Sequence, residues 1–323
     1  MEPRPNKAQL PDTMADRPQP ILCGTDFSET SREAADVACA IAKRAETGLV
    51  LVHVGAIRGL GPLDPTVLQS AMNEERAALD RETARLRGKG VEVEAQLRTG
   101  SPFNELVNAA NEFNARSIIL GAVGHGLGHR LLLGSVAERT AEASPVPTVI
   151  VRPGGNLLNW LEGGQTLKLL LGYDYSAAAD AALRWVAMLR KQDPSCEVNV
   201  VHIYWSDETA KRFGYKGPVR FGENPEELQA PLKKEIEKRV SKFMPADSVK
   251  ITVQPATGSP EGHLYEISHE EKADLVVVGT HQRAGLGRLH FGSVSRAVVH
   301  HAKVSVAVIP PPEESQLSKR SES

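Results

Sequence analysis

The chain has 323 residues, 41% hydrophobic and 24% charged, which is enough for two globular domains of ~100–200 residues each. Its 38 lysine and arginine residues nearly balance 40 acidic residues, for a formal charge of −2. We therefore expect no nucleic acid and no anionic membrane as a partner, because the chain has no overall field to attract either.

Residues 1–19 are polar and rich in proline, without the apolar segment of a secretory signal. No later apolar run approaches the ~18 residues that a membrane span needs. Cys23, Cys39 and Cys196 form no CxxC pair and lie in apolar surroundings, which is typical of reduced thiols in a protein core. The sequence thus predicts a cytoplasmic protein with a disordered tail over 1–19.

Residues 20–153 alternate short β-branched runs with longer helical patterns, which is typical of βαβ units and a parallel sheet. The predicted strands are 20–25, 49–54, 91–97, 117–121 and 147–151. The predicted helices, several of which open on Ser or Pro, are 28–45, 65–87, 102–114 and 135–143.

Residues 166–311 repeat the same order of motifs. Five motifs of the first half recur in the second in the same order: GTDFS as GYDYS, LVLVHV as VNVVHIY, GSP as GSP, SIILG as LVVVG, and GSV as GSV. The strands predicted in the second half are 168–173, 197–204, 250–256, 274–279 and 304–309. The offset between copies is 148 at Asp26 and Asp174 but 158 at Gly121 and Gly279, so a ten-residue insertion lies within 205–249. Its charged segment 225–242 is predicted to be an amphipathic helix.

Two shorter segments complete the organisation. Residues 154–165 are glycine-containing and predict a linker that folds back through Leu158, Trp160 and Leu161. The polar residues 312–323 predict a disordered C-terminal tail.

A glycine-rich stretch from Gly121 to Val136 leaves the fourth strand and ends at a helix start. Glycines permit positive φ and clear side chains from a ligand's path, and free N–H groups at the helix start after Gly134 and Ser135 can hold an anion. Arg130 or His129 would add positive charge. From the glycines alone, a structural turn is an equal alternative. No lysine follows Gly134 as in a Walker A loop, and a Rossmann fingerprint would follow the first strand.

The spacing G-2x-G-9x-G-[ST], with an aspartate after the first strand and VHV at 52–54, resembles the universal stress protein family in both halves, over 20–311. The resemblance implies an α/β fold of two tandem doubly wound domains. Each would have a five-stranded parallel sheet of order 3-2-1-4-5 with helices on both faces. It also implies an ATP site, with or without Mg²⁺.

Carried over residue by residue, the resemblance places Asp26 near adenine and ribose and the backbone of Thr25 and Val54 along the base. Around ribose and phosphates it places Gly121, Gly124, Gly134 and Ser135, followed by Val136. In the 3-2-1-4-5 order, strands 1 and 4 flank the topological switch point, so Asp26 and the loop should face one crevice. From the residues alone, Asp26 is equally well a helix-capping carboxylate before Ser28.

The second half keeps Asp174, Gly279, Gly292 and Ser293 but has Gln282 where the first half has Gly124. A glutamine side chain would exclude the ligand or shift the loop. Arg283 would instead neutralise phosphate, which leaves an altered site open. We expect one strong ATP site in the first half and a weak or empty one in the second.

The sequence contains no pattern that is typical of a metal site or a catalytic site. His125 and His129 are four apart, but in a glycine loop without a neighbouring cysteine, so no metal site is expected. His53 and His202, near the end of each second strand, are interpreted as structural. With no GxSxG elbow and no evident general base, no catalytic residue is assigned, and ATP hydrolysis is expected to be slow at most.

The favoured function is a cytoplasmic stress-response regulator that binds ATP and signals through an unidentified protein client. The alternative is a nucleotide-independent interaction scaffold with vestigial sites. The apolar fifth strands, 147–151 and 305–309, lie at sheet edges in the 3-2-1-4-5 order. Because the family resemblance implies antiparallel pairing of such edges, we expect an intramolecular pseudo-dimer of the two halves. Association of whole chains into homodimers is left open.

Overall fold

The computed structural model describes residues 18–55, 65–124, 133–217, 222–280 and 292–312. Arg130, Gln282, Arg283 and nearly all of the two predicted tails lie outside these ranges. None of the described helices combines the length and apolar character that crossing a bilayer requires.

The first half alternates strands and helices in the predicted order. Its elements are β1 Ile21–Thr25, α1 Glu29–Arg44, β2 Leu49–Gly55, α2 Pro65–Arg87, β3 Val93–Thr99, α3 Pro102–Glu112, β4 Ser117–Gly121, α4 Ser135–Ala143 and β5 Thr148–Val151. Each predicted strand and helix is present, with ends that differ by two residues at most.

The second half repeats this series after a short helix, α5 Leu157–Leu161. The elements are β6 Lys168–Gly172, α6 Ala177–Gln192, β7 Glu197–Tyr204, α7 Ser206–Phe213, α8 Glu226–Val240, β8 Lys250–Pro255, α9 Pro260–Glu270, β9 Leu275–Gly279, α10 Ser293–His301 and β10 Ser305–Ile309. The insertion therefore adds α7 between β7 and α8. The amphipathic helix predicted over 225–242 is α8. The buried residues of α8 recur at helical spacing as Leu228, Leu232, Ile236 and Val240.

The ten strands form one sheet of order β3-β2-β1-β4-β5-β10-β9-β6-β7-β8. Each half thus has the expected 3-2-1-4-5 order. The two halves join at their fifth strands, where β5 and β10 pair antiparallel with Val149 opposite Ala307 and Ile150 opposite Val306. The predicted pairing of the two edges is confirmed within one chain.

Both faces of this sheet are covered, which explains the continuous apolar runs of its strands. Along β2, Leu49 and Leu51 pack on the face that carries α1, α2, α6 and α8. Val50 and Val52 pack on the opposite face with α3, α4, α9 and α10. Because strand side chains alternate between faces, one strand supplies both cores.

The segment predicted as a linker folds back onto the first half through α5, which packs against α1. Leu157 and Trp160 are its buried residues, whereas Leu158 and Leu161 are only partly buried. The expected residues Leu158, Trp160 and Leu161 all pack against the core, and Leu157, three positions before Trp160 on the same helix face, is the buried residue that the sequence analysis did not single out. The Trp160 Nε1 donates to Asp193 Oδ2 at 2.7 Å, which ties α5 to the second half.

Candidate functional site

A cleft of about 260 Å³ opens at the carboxyl ends of β1 and β4. Eight of the nine site residues expected in the first half line it, namely Thr25, Asp26, Val54, Gly121, Gly124, Gly134, Ser135 and Val136. The ninth, Arg130, is not among the described residues. The cleft lies at the topological switch point, where ligands of open α/β sheets bind.

Asp26 uses its two carboxylate oxygens differently. Its Oδ1 accepts hydrogen bonds from the Ser28 backbone N–H at 3.1 Å and from the Ser28 Oγ at 2.6 Å. The N-cap of α1 is Ser28, whose Oγ accepts from Ser31 N, so Asp26 supports the turn before the cap and is not the cap itself. Its Oδ2 lies on the side of the glycine loop, because a Cβ added to Gly124 would be 2.5 Å from it.

The turn that carries Asp26 is held in an unusual conformation. Phe27 has φ 64°, a left-handed conformation that costs a non-glycine residue about 1–3 kcal/mol. Its ring packs on that of His53, with centroids 4.4 Å apart. The His53 Nδ1–H donates to the Thr25 carbonyl at 2.8 Å. His53 therefore supports the strand end and the aromatic ring, as its structural interpretation expects.

Of the three glycines of the cleft that the sequence predicted, Gly121 and Gly124 leave no room for a Cβ, Gly134 would make an ordinary contact, and none of the three has a positive φ. A Cβ on Gly121 would lie 2.9 Å from both the carbonyl carbon and the oxygen of Thr30, so α1 approaches β4 more closely than a side chain allows. At Gly134, with φ −72° and ψ 138°, the nearest atom would be the Ala122 oxygen at 3.4 Å. The expectation that these glycines serve positive φ is wrong, because their backbone lies in regions open to any residue.

The start of α4 presents backbone donors to the cleft. Gly134 is its N-cap, and no side chain caps the helix there. The first N–H groups of a helix have no partner within it, and the helix dipole adds partial positive charge at this end. With Ser135 as the first helical residue, the helix start is suited to an anionic group such as phosphate.

Apolar side chains form the rest of the cleft, and the sequence interpretation did not assign them to the site. Val52 lies two residues before Val54 on β2, and Pro102 and Leu106 are one turn apart on α3. The sequence could have indicated these positions, because residues two apart on a strand, such as Val52 and Val54, and residues four apart on a helix, such as Pro102 and Leu106, lie on the same face. The cleft thus joins an apolar wall to a polar end with a carboxylate and backbone donors.

The second half repeats part of this geometry. Asp174 Oδ1 accepts from Ser176 N at 3.0 Å, and a Cβ on Gly279 would lie 2.6 Å from the Ala178 carbonyl carbon. Gly292 is the N-cap of α10, and Ser293 is its first residue, again without a side-chain cap. These four residues therefore hold positions that match those of their counterparts in the first half.

Two substitutions distinguish the second half at this edge. Tyr173 stands where the first half has Thr25; burial and a hydrogen bond from its hydroxyl to Asp180 Oδ1 at 2.5 Å raise its pKa. Ser295 stands where the first half has Ala137, and its Oγ donates to the Gly279 carbonyl at 2.6 Å. Gln282 falls in a part of the chain that the structure does not describe, so its effect on the ligand stays a prediction.

Comparison with known proteins identifies the family. The model of the universal stress protein family matches residues 18–152 and again residues 166–310. The chain belongs to the universal stress protein family. A universal stress protein of Mycolicibacterium smegmatis is 27% identical over 301 residues, which are 90% of this chain and 97% of that protein.

A solved universal stress protein supports the fold of the whole chain. It comes from Archaeoglobus fulgidus, has a TM-score of 0.67 at 20% identity and covers 91% of this chain and 97% of its own. A shorter universal stress protein, solved in complex with cAMP, aligns with 41% of this chain and 96% of its own at 27% identity and a TM-score of 0.35.

Proposed function

We propose that residues 20–153 and 166–311 are two domains joined by 154–165, and that the first binds ATP, with or without Mg²⁺. Nucleotide occupancy would then regulate contact with an unidentified protein client in a stress response. The observation that carries the proposal is the convergence of Asp26, Gly124 and the uncapped start of α4 on one cleft at the switch point.

Each part of the cleft suits one part of ATP. The apolar side chains of Val52, Val54 and Leu106 offer a wall for a flat base. Asp26 offers a carboxylate acceptor to ribose hydroxyls, and the N–H groups at the start of α4 offer donors to phosphate oxygens. Asp26 is the one carboxylate among the described residues that line the cleft, so a Mg²⁺ ion would depend mainly on the phosphates for its ligands.

The same residues favour binding over catalysis. Among the described lining residues of this cleft there is no histidine, lysine or arginine, and Asp26 is engaged by Ser28. A group placed to activate water is a requirement for fast hydrolysis. We therefore expect slow ATP turnover at most, and a second site that is weaker than the first.

A matched pair of variants tests the proposal. The protein is purified without added nucleotide, denatured and examined for released adenine nucleotide; ATP, ADP, AMP and cyclic AMP are then titrated calorimetrically. Asp26→Asn keeps the oxygen that accepts from Ser28 but removes the charge, so ATP affinity should fall about ten-fold. Asp174→Asn, the same change in the second half, should have little effect on the strong site.

Loop variants provide a second measurement. Gly124→Val and Gly134→Val should abolish ATP binding, whereas Gly258→Ala, where an added Cβ has no neighbour within 4 Å, should leave it unchanged. Unchanged ATP affinity in folded Gly124→Val and Gly134→Val variants would refute the site. A protein that releases no nucleotide and that no nucleotide stabilises would favour the scaffold alternative.

A further inference from the structure

A second cleft, of about 440 Å³, lies where the two halves meet. Its residues come from the amino-terminal ends of strands in both halves, from α1 and α6, and from α5 between them. Of the residues that the structure describes, it shares none with the cleft at Asp26, which lies at the opposite ends of β1 and β4. Its volume is in the range of ~300–1,000 Å³ that is usual for small-molecule sites.

The walls of this junction cleft are apolar and partly aromatic. Ile41 of α1, Trp160 of α5 and Trp185 of α6 line it, together with Leu275 from the second half. Met188 also lines it and is 43% exposed, one of few large apolar side chains exposed among the described residues. The cleft exists only while β5 and β10 are paired, because each half supplies part of the wall.

Among the described residues of the lining, the two charged ones are arginines, Arg44 and Arg116. The Arg44 guanidinium is 3.5 Å from Asp193 Oδ2 and 4.7 Å from the centroid of the Trp160 ring, so it is already engaged. Arg116 is exposed, and no carboxylate of the described residues is within 4 Å of its guanidinium. Within the described part of the chain, the unpaired charge of the cleft therefore belongs to Arg116.

The ends of α1 and α6 near this cleft do not reverse its charge. A helix C-terminus carries a partial negative charge of about half a unit. Here Lys43 and Arg44 lie in the last turn of α1, and Arg190 and Lys191 lie in the last turn of α6. Against Asp193 at the end of α6 and Glu46 just after α1, the four basic residues leave an excess of positive charge, which outweighs the partial charges of both helix ends.

We propose that the junction cleft binds an apolar monocarboxylate, with its hydrocarbon or aromatic body between Ile41, Trp160 and Trp185 and its carboxylate on Arg116. An apolar cleft with a guanidinium at its edge suits a molecule with a single anionic end, and arginine pairs with carboxylate through two parallel hydrogen bonds. An apolar amine would place its ammonium beside the Arg116 guanidinium and should be rejected. This site is independent of the proposed nucleotide site.

The test uses the full-length chain and three probes. Decanoate represents a flexible hydrocarbon chain, 2-naphthoate represents a flat ring, and decylamine has a ten-carbon alkyl chain with the opposite charge at its end. Calorimetric titration should show one site for at least one carboxylate, with a dissociation constant below ~1 mM, and no binding of decylamine there. Decanoate alone would assign an acyl ligand, 2-naphthoate alone an aromatic ligand, and either result supports the proposal.

Matched variants identify the residues that act. Arg116→Gln should weaken carboxylate binding about ten-fold or more, as expected for loss of a charge-assisted hydrogen bond. Trp185→Ala should weaken it through lost apolar contact. Arg184→Gln changes an arginine of α6 that packs over Phe243 outside the lining and should have no effect.

Three outcomes would overturn the proposal. The first is the absence of binding by both carboxylates up to ~1 mM. The second is equal binding of decylamine, and the third is equal affinity in the Arg116→Gln and Arg184→Gln variants. ATP affinity, measured in the same Arg116→Gln sample, should be unchanged, so failure here is distinguishable from failure at the nucleotide site.

Discussion

Gly121 ends β4 directly against the first turn of α1, and Gly121→Ala should loosen that contact. The added Cβ would lie 2.9 Å from the carbonyl carbon and oxygen of Thr30 and 3.0 Å from Ser31 N. These are backbone atoms, which have no rotamer to change, so α1 or β4 has to move. The expected result is a less stable protein.

Two opposing effects set the magnitude. Replacing glycine by alanine at a compatible φ stabilises by about 0.4–1 kcal/mol, because the unfolded chain loses freedom. Overpacking a tight contact costs about 1–3 kcal/mol. The steric cost is larger, so we expect a net loss of about 1–2 kcal/mol. At about 2–4 °C per kcal/mol for a unit of this size, the melting temperature should fall by about 2–8 °C.

Thermal unfolding monitored by circular dichroism measures this loss, and the chain supplies its own controls. Gly279→Ala repeats the change in the second half, where the Cβ would lie 2.6 Å from the Ala178 carbonyl carbon. Gly258→Ala adds a Cβ with no neighbour within 4 Å and should be neutral or slightly stabilising. If Gly121→Ala and Gly279→Ala melt like Gly258→Ala, the packing role of these glycines is wrong.

Three further predictions concern pH, thiols and the junction. Burial lowers the pKa of His202, so as pH falls below about 6.5 the unfolded chain takes up a proton that the native chain refuses. The free energy of unfolding, measured with urea, should therefore fall between pH 7 and 5. His202→Gln should reduce that fall, whereas the same change at the exposed His269 should not. Equal pH dependence in the wild-type chain and both variants would contradict this. Burial raises the pKa of all three cysteine thiols, that of Cys196 to about 11. Iodoacetamide at pH 8 should therefore label native protein at least about ten-fold more slowly than unfolded protein, and equal labelling rates would refute this expectation. Cutting the chain at a protease site inserted between Gly163 and Gly164 should leave the halves associated in size-exclusion chromatography through β5 and β10, and elution as separate halves would count against the junction.

The sequence by itself determined the local elements and their repetition. β-Branched runs such as LVLVHV become strands that are buried on both faces, and Ser28 and Ser176 cap equivalent helices. Hydrophobic periodicity and capping are local properties, so they are readable without a structure. The internal repeat and the family resemblance then predicted the strand order and the convergence of Asp26 with the glycine loop.

Only the tertiary structure decided how residues far apart in the chain contact each other. It shows that Gly121 is required by the backbone of α1, that Leu157 joins Trp160 as a buried residue of α5, and that Asp26 directs one oxygen to Ser28 and the other towards Gly124. It also brings Arg116 and Trp185 to one cleft between the halves. Such contacts depend on the simultaneous packing of several helices on both faces of the sheet, which local sequence patterns do not encode.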